Sequence, residues 1–306
     1  MGTISHMKKI LFPATSPIHI ARNQLLLEEL KKNFEVHIAT YGEKDMSMSD
    51  VAVDITLKFR IVLEKIKPDL VLIRADRAEL LPCAMLSVYG GYKVIQLEAG
   101  DRSGTWDEKV RYSISALADY HFTTNNEAQR RMLSMGYENV FQCGSLDCEY
   151  ALTVEPQNAP KKPYILVTWH PLPSEPGDAL YRALEAFKDE FDIVGVRGNK
   201  DYGIESSFKE WYEPAEFINL LRGASVAVGN SSCLLKESSV LGTPCVLIGE
   251  RQKNRLRPTN VQNSQYDQEE IEYFIRKQIK HGRYERDDTY YIPESSKKIA
   301  SVITFL

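Results

Sequence analysis

The sequence predicts an α/β protein built from two doubly wound parallel sheets. Short apolar runs alternate with helix-length segments along the whole chain of 306 residues, as parallel sheets with right-handed crossovers require. Runs such as Leu70–Ile73 and Val226–Val228 are apolar at every position, which is typical of strands buried on both faces. The segment Val154–Pro163 holds three prolines and has no periodicity, so it is the predicted linker.

The first half of the chain contains six predicted strands and five predicted helices. The strands are Ile10–Phe12, Phe34–Thr40, Leu70–Ile73, Val94–Leu97, His121–Thr123 and Val140–Cys143. The helices are Arg22–Lys32, Thr56–Lys67, Leu80–Tyr89, Asp107–Ala118 and Asn126–Met135. Leu25, Leu26 and Leu30 lie on one face of the first helix, Pro68 ends the second, and Gly136 closes the last.

The second half repeats the alternation. Its predicted strands are Ile165–Val167, Ile193–Val196, Val226–Val228 and Cys245–Ile248. Its predicted helices are Ala179–Glu190, Pro214–Arg222, Cys233–Leu241, Glu269–His281 and Ser295–Phe305. The first six residues resemble an expression tag, so the expected domains are 7–153 and 164–293, joined by 154–163, with a last helix at 294–306 that packs back on the first domain. Two such domains would face each other across a cleft, where ligands bind.

Composition excludes several classes of protein. The net charge of −4 and the pI near 6.0 argue against a dedicated nucleic-acid binder. No run approaches the about 18 apolar residues of a membrane span, so a cytoplasmic protein without a membrane partner is expected. The five cysteines form no CxxC pair and are expected to be reduced and buried. No Walker A, GxGxxG or zinc-ligand spacing appears, so no metal or cofactor site is predicted.

The most informative motif follows the strand Val226–Val228. A turn of small and hydroxyl residues, Gly229–Ser232, leads into a predicted helix, whose unpaired N–H groups favour an anion. Glu237 lies one to two turns further along, where a carboxylate could bind a ribose diol. Arg251 follows the next strand and returns to the same end of the sheet. The pattern predicts a pocket for a nucleoside diphosphate.

Polar residues also follow several other strands. They are Asp76, Glu98, the pair Asp107 and Glu108, and His170. Taken singly, most have an ordinary structural explanation, since Asp76 could cap a helix and Asp107 and Glu108 suit a helix N-terminus. Carboxylates and a histidine gathered at one edge of a sheet are costly to desolvate, however, and their joint presence favours a substrate site.

In this order the motifs resemble the UDP-N-acetylglucosamine 2-epimerases, particularly the hydrolysing branch that releases N-acetylmannosamine. The segments that carry the resemblance are Asp76–Arg77, Glu98–Gly100, Ser103–Glu108, Thr168–Pro171, Gly229–Glu237 and Gly249–Lys253. The resemblance implies two Rossmann-like domains of the glycosyltransferase-B (GT-B) type, a UDP-sugar substrate such as UDP-GlcNAc, a homodimer, and no cofactor. The reaction implied is elimination of UDP followed by hydration of a glycal.

The resemblance also assigns residues. Those implied to bind UDP are Arg77, His170, Asn230, Ser231, Ser232, Glu237 and Arg251. The implied catalytic residues are Asp76, Glu98, Asp107, Glu108 and His170. Within the first set, the serines would contact the phosphates, Glu237 the ribose, and the arginines the pyrophosphate. The loop after the first strand lacks the arginine that the family carries there, and His19 or Arg22 is the candidate to replace it.

Two other functions stay open. A GT-B glycosyltransferase would use the same UDP-sugar as donor, and trimmed loops at Tyr41–Asp54 and Ser174–Tyr212 would admit a large acceptor, even a nucleic acid. A nucleotide-sugar sensor without catalysis would need only the UDP-binding residues, so the carboxylates argue against it.

Overall fold

The computed structural model describes residues 7–41, 48–74, 77–157, 162–198, 207–208 and 210–306. These residues form two compact units. The first holds the chain up to Asp101 together with Trp106–Leu146 and Ile292–Leu306, and the second holds Arg102–Thr105 and Asp147–Tyr291. The last helix thus belongs to the first unit, and the helix that precedes the proline-rich segment belongs to the second.

The first unit contains a six-stranded parallel sheet. Its strands are β1 (Lys9–Ala14), β2 (Glu35–Thr40), β3 (Leu70–Arg74), β4 (Lys93–Leu97), β5 (Tyr120–Thr123) and β6 (Val140–Gln142). They lie in the order β2-β1-β3-β4-β5-β6, and all neighbours are parallel. The chain reverses its direction of winding between β1 and β3, the position where ligands bind in open parallel sheets.

Helices cover both faces of this sheet. They are α1 (Pro17–Ala21), α2 (Gln24–Leu30), α3 (Met48–Ile66), α4 (Leu81–Tyr89), α5 (Asp107–Leu117), α6 (Asn126–Ser134) and α12 (Ser295–Thr304). Alternate residues of β1 enter different cores: Ile10 and Phe12 pack in the core that also holds residues of α2 and α12, whereas Leu11 packs in the core that holds residues of α3 and α4. Strands buried on both faces in this way explain the continuous apolar runs of the sequence.

The second unit contains a five-stranded parallel sheet. Its strands are β7 (Tyr164–Thr168), β8 (Asp192–Val196), β9 (Val226–Gly229), β10 (Cys245–Ile248) and β11 (Val261–Ser264), in the order β11-β10-β9-β7-β8. Its helices are α7 (Leu146–Thr153), α8 (Asp178–Glu185), α9 (Pro214–Gly223), α10 (Glu237–Leu241) and α11 (Gln268–His281). Among the residues with a described placement, no helix is both long and apolar enough to cross a membrane.

Several elements differ from the predictions, and helices α1 and α7 were not predicted at all. Helix α3 begins at Met48 instead of Thr56. Strand β11 was not predicted, because Val-Gln-Asn-Ser lacks an apolar pattern. The predicted helix Cys233–Leu241 is a 3₁₀ turn at Ser232–Leu234 followed by the five-residue α10. In that segment the hydroxyls of Ser238 and Ser239 donate to backbone carbonyls, a local bonding pattern that competes with regular helix formation.

Candidate functional site

Glu98 occupies a strained position directly after β4. Its φ of 61° lies in the left-handed region, which costs a residue with a side chain on the order of 1 kcal/mol. Its Oε1 accepts a hydrogen bond from Nη2 of Arg74 at 2.9 Å, and the two side chains are 11% and 4% exposed. A largely buried carboxylate at the carboxyl end of a central strand, held in a rare backbone conformation, is typical of a functional residue.

Arg74 is a site residue to which the sequence analysis gave no role. It ends β3, which lies between β1 and β4, and its Nη1 also donates to the carbonyl oxygen of Arg22 at 3.4 Å. It therefore connects the segment after β1 with the residue after β4. The signal in the sequence was an arginine at the end of the apolar run Leu70–Ile73, since a buried arginine must find a partner.

Asp107 and Glu108 open α5, as predicted, and both are half-buried. Oδ1 of Asp107 accepts from the N–H of Glu108 at 3.0 Å, and its Oδ2 lies 3.8 Å from Nη2 of Arg111. Arg111 is 1% exposed and donates to the carbonyl of Asp101 at 2.9 Å. Arg111 thus anchors the start of α5 to the loop that follows Glu98.

Asp76 and Arg77 are the two predicted site residues that follow β3. Asp76 lies outside the described residues. Arg77 donates to Oε1 of Glu79 from Nε at 3.1 Å and from Nη2 at 2.6 Å. Glu79 is 7% exposed and Arg77 is 33% exposed, so this guanidinium combines an ion pair with access to solvent. Its role toward a pyrophosphate stays a prediction.

In the second unit, Asn230 makes a reciprocal contact with His170. Its Oδ1 accepts from the N–H of His170 at 2.8 Å, and its Nδ2 donates to the carbonyl of His170 at 2.8 Å. Asn230 is fully buried, while His170 is half-buried. The side-chain amide of Asn230, which was predicted to bind UDP, is therefore used to hold the backbone of another predicted site residue.

The backbone of Asn230 serves further contacts. Its carbonyl accepts from Nη1 of Arg251 at 3.3 Å and from Nε2 of Gln252 at 3.2 Å. The preceding Gly229 has a φ of 147°, and a Cβ there would lie 2.1 Å from the carbonyl oxygen of Thr168. Glycine is therefore required for β9 to pass this close to β7. The structure brings His170, Asn230 and Arg251 together at the carboxyl end of the sheet.

Ser231 and Ser232 lie half-buried at the same end. Ser231 caps the 3₁₀ turn by accepting from the N–H of Cys233 at 3.5 Å. Glu237 is 1% exposed and begins α10. The expectation of a full helix whose N-terminus faces the two serines was wrong, because the helix proper begins only at Glu237. The donors near the serines come from a single turn and the hydroxyl groups.

A second loop packs against the one that carries Arg251. The N–H of Gly104 donates to the carbonyl of Arg251 at 2.8 Å, and Nδ2 of Asn254 donates to the carbonyl of Ser103 at 2.5 Å. A Cβ at Gly104 would lie 1.7 Å from the carbonyl oxygen of Glu250. Only glycine permits this approach.

The side chain of Glu175 also holds the loop that carries Arg251. Oε1 of Glu175 accepts from the N–H of Glu250 at 3.0 Å. Glu175 is 5% exposed, and burial raises the pKa of its carboxyl, although the N–H of Glu250 acts in the opposite direction. Glu175 was not predicted as a site residue, since a glutamate in a proline-rich loop is usually exposed.

Within the part of the chain that the structure describes, no three His, Cys, Asp or Glu side chains are placed to hold one metal ion. All five cysteines lie in the described part of the chain and are buried, as expected.

The chain is similar to known proteins. A family model described as UDP-N-acetylglucosamine 2-epimerase matches residues 18–304, nearly the whole chain. The chain belongs to the UDP-N-acetylglucosamine 2-epimerase family. It is 29% identical over 255 residues to a UDP-N-acetylglucosamine 2-epimerase of Neisseria meningitidis serogroup B, an alignment that covers 74% of this chain and 68% of the relative.

A hydrolysing member of the family is equally similar. The chain is 29% identical over 235 residues to a UDP-N,N'-diacetylbacillosamine 2-epimerase (hydrolyzing) of Legionella pneumophila, covering 67% of this chain and 62% of the relative. Among solved structures, that of S. aureus MnaA with UDP matches with a TM-score of 0.84 at 17% identity, covering 98% of this chain and 96% of that one. The predicted fold, two Rossmann-like parallel-sheet domains of the GT-B type, is confirmed.

Proposed function

We propose that this epimerase-family protein is a hydrolysing UDP-GlcNAc 2-epimerase, which converts UDP-GlcNAc and water into N-acetylmannosamine and UDP. The observation that carries the proposal is the largely buried carboxylate of Glu98, held at the carboxyl end of β4 in a left-handed conformation and paired with Arg74. A binding module has no use for a strained, ion-paired carboxylate at this position. The hydrolysing relative from Legionella pneumophila supports the choice of branch.

The proposed chemistry has two steps. In the first, a carboxylate takes the proton from C2 of the sugar, a C1–C2 double bond forms, and the C1–O bond breaks with its electrons leaving on UDP. In the second, water adds its oxygen to C1 of the glycal and a proton is delivered to C2 from the opposite face. The carboxylates proposed for these transfers are Asp76, Glu98 and Asp107, with Glu108 as neighbour.

UDP is proposed to bind at the carboxyl end of the second sheet. The hydroxyls of Ser231 and Ser232 would contact the phosphates, and Glu237 would contact the ribose. Arg251 and His170 would stabilise the charge that develops on the departing diphosphate. A pyrophosphate contact is also proposed for Arg77. In this scheme the cations are side chains, so we propose that neither a metal nor a redox cofactor is required.

A proton NMR time course in heavy water tests the proposal. The protein is incubated with UDP-GlcNAc, and we expect free UDP and N-acetylmannosamine that carries deuterium at C2. Formation of UDP-N-acetylmannosamine would instead assign the reversible branch. An unchanged spectrum combined with retained UDP binding would contradict epimerisation and favour a glycosyltransferase that needs an acceptor.

We further propose the homodimer that the resemblance implied. Val53, Leu57 and Ile61 recur every fourth residue on α3, and each is more than half exposed. Such an apolar stripe is costly to leave in water. Sedimentation equilibrium should give a dimer that Leu57→Glu dissociates, whereas a monomeric wild type would contradict the proposal.

A further inference from the structure

We infer that Asn230 is a positioning residue, which aims the side chain of His170 by fixing its backbone and makes no contact with UDP through its own amide. The inference rests on the proposed function, because it gives Asn230 a role in the same reaction. It replaces the direct UDP contact that the sequence predicted for this residue.

The geometry is that of a closed pair. Oδ1 of Asn230 receives the N–H of His170, and Nδ2 gives a hydrogen to the carbonyl oxygen of the same residue, both at 2.8 Å. The amide therefore grips both polar groups of one residue, as a neighbouring strand would. With 0% exposure and both ends occupied, the side chain offers no open polar face to a ligand.

His170 needs this constraint because it stands just beyond the end of β7. Trp169 before it is fully buried, and its ring stacks on that of Tyr266 with centroids 5.8 Å apart. Pro171 after it restricts the backbone of His170 to extended conformations. The amide of Asn230 holds this backbone in place, and the position from which the imidazole projects depends on it. A displacement of about 1 Å at a reacting group can cost about 100-fold in rate.

The backbone of Asn230 makes hydrogen bonds of its own, which do not involve its side chain. The positioning role of the side chain can therefore be tested separately. Its N–H donates to the carbonyl of Thr168 at 3.1 Å, and its carbonyl accepts from Arg251 and Gln252. A change of side chain leaves all three contacts available. Asn230→Ala therefore removes the contact with His170 while keeping the position of Arg251.

The first test is a double-mutant cycle of Asn230→Ala and His170→Ala, with turnover and UDP affinity measured for all four proteins. We expect Asn230→Ala alone to lower kcat by about 10- to 100-fold, and to lower it by less than about twofold when His170 is already absent. Losses of equal size in both backgrounds would overturn the inference. So would a loss of UDP affinity that persists without His170, since that outcome makes Asn230 a direct ligand.

The second test uses the isosteric Asn230→Asp. When ionised, its carboxylate opposes the carbonyl oxygen of His170, and when protonated it restores a donor there. We expect kcat relative to wild type to rise as the pH falls. The control is Asn263→Asp, at an exposed residue of β11, which should show no such pH dependence. A flat ratio for Asn230→Asp would contradict the inference.

The third test does not depend on turnover. The imidazole NMR signals of His170, assigned by their loss in His170→Ala, are compared between wild type and Asn230→Ala. We expect altered chemical shifts and an altered titration curve. Unchanged signals would overturn the positioning role. If wild type fails to convert UDP-GlcNAc, the proposed function fails, and the NMR signals and the UDP-affinity cycle still decide the role of Asn230.

Discussion

The carboxyl ends of the two sheets fix their polar residues by different means. At the first sheet, charged side chains pair with charged side chains, as in Glu98 with Arg74 and Arg77 with Glu79. At the second, backbone groups are held by buried side chains, as in His170 with Asn230 and Glu250 with Glu175. The contacts at the first sheet therefore hold carboxylate side chains in place, and those at the second sheet hold the backbone of the loops in place.

The difference matches the division of labour that we propose. Proton transfer needs carboxylates whose position and charge are set by neighbours, and a buried ion pair supplies both at a cost in desolvation. Binding a diphosphate needs a rigid set of donors. Hydrogen bonds to the backbone can hold such a set in place and leave the charged side chains available to the ligand. Substitutions at the two ends should consequently have different signatures.

The largest effect is expected from Glu98→Gln. The amide can still accept from Arg74, so the fold should persist, but it cannot take a proton. Turnover should fall by about 1,000-fold, while the Kd for UDP changes by less than about threefold. The comparison uses Glu138→Gln, an exposed residue, which should behave as wild type. A parallel loss of UDP affinity would remove the distinction between the two ends.

The ion pair itself should matter for stability. Arg74→Met removes the guanidinium that pairs with the largely buried Glu98, and loss of one member of a buried pair costs about 3–5 kcal/mol. Urea denaturation should show a decrease of at least about 3 kcal/mol in the free energy of unfolding. Arg60→Met on the exposed face of α3 should change it by less than about 0.5 kcal/mol. Similar values for both variants would mean that the Arg74 pair is not structurally important.

At the carboxyl end of the second sheet, Arg251→Ala should weaken the binding of UDP. A hydrogen bond to a charged group contributes about 1.5–3 kcal/mol, which corresponds to a 10- to 100-fold weaker Kd for UDP. Calorimetric titration measures the Kd, with Lys188→Ala in the exposed turn after α8 as the control. An unchanged Kd would place the diphosphate elsewhere.

The smallest effect is expected for Glu175→Gln. Burial raises the pKa of the Glu175 carboxyl in the folded protein, so the unfolded chain loses this proton first as the pH rises. The wild type thus loses stability from the ordinary glutamate pKa upward, and the variant does not. Thermal unfolding should show equal stability at acid pH and a more stable variant at neutral pH. The opposite trend would mean that the ionised carboxylate is the favoured form.

The fold was largely predictable because strands buried on both faces leave continuous apolar runs, as in Leu70–Ile73. Polar strands leave no such trace, and β11 was missed for that reason. Partners of individual side chains were not predictable either. The contact of Arg74 with Arg22 depends on β1 lying beside β3, an order that the linear sequence does not display.

The structure shows where the described site residues lie, whereas their roles toward UDP and the sugar stay predictions. The motif around Asn230 was recognised, yet its amide faces His170, because the side chain of a buried asparagine must satisfy its own hydrogen bonds first. The continuous helix expected from Cys233 does not form. The segment is a 3₁₀ turn and a short helix instead, in which the hydroxyls of Ser238 and Ser239 bond to backbone carbonyls. These details depend on short-range competition between side chain and backbone.

The most direct test of the division between the two ends is UDP binding by two double variants. Calorimetric titration would compare Glu98→Gln/Asp107→Asn with Ser231→Ala/Arg251→Ala, each confirmed as folded by circular dichroism. The account predicts that the first binds UDP as tightly as wild type and that the second binds it at least 100-fold more weakly. Weakened binding in the first, or wild-type binding in the second, would contradict it.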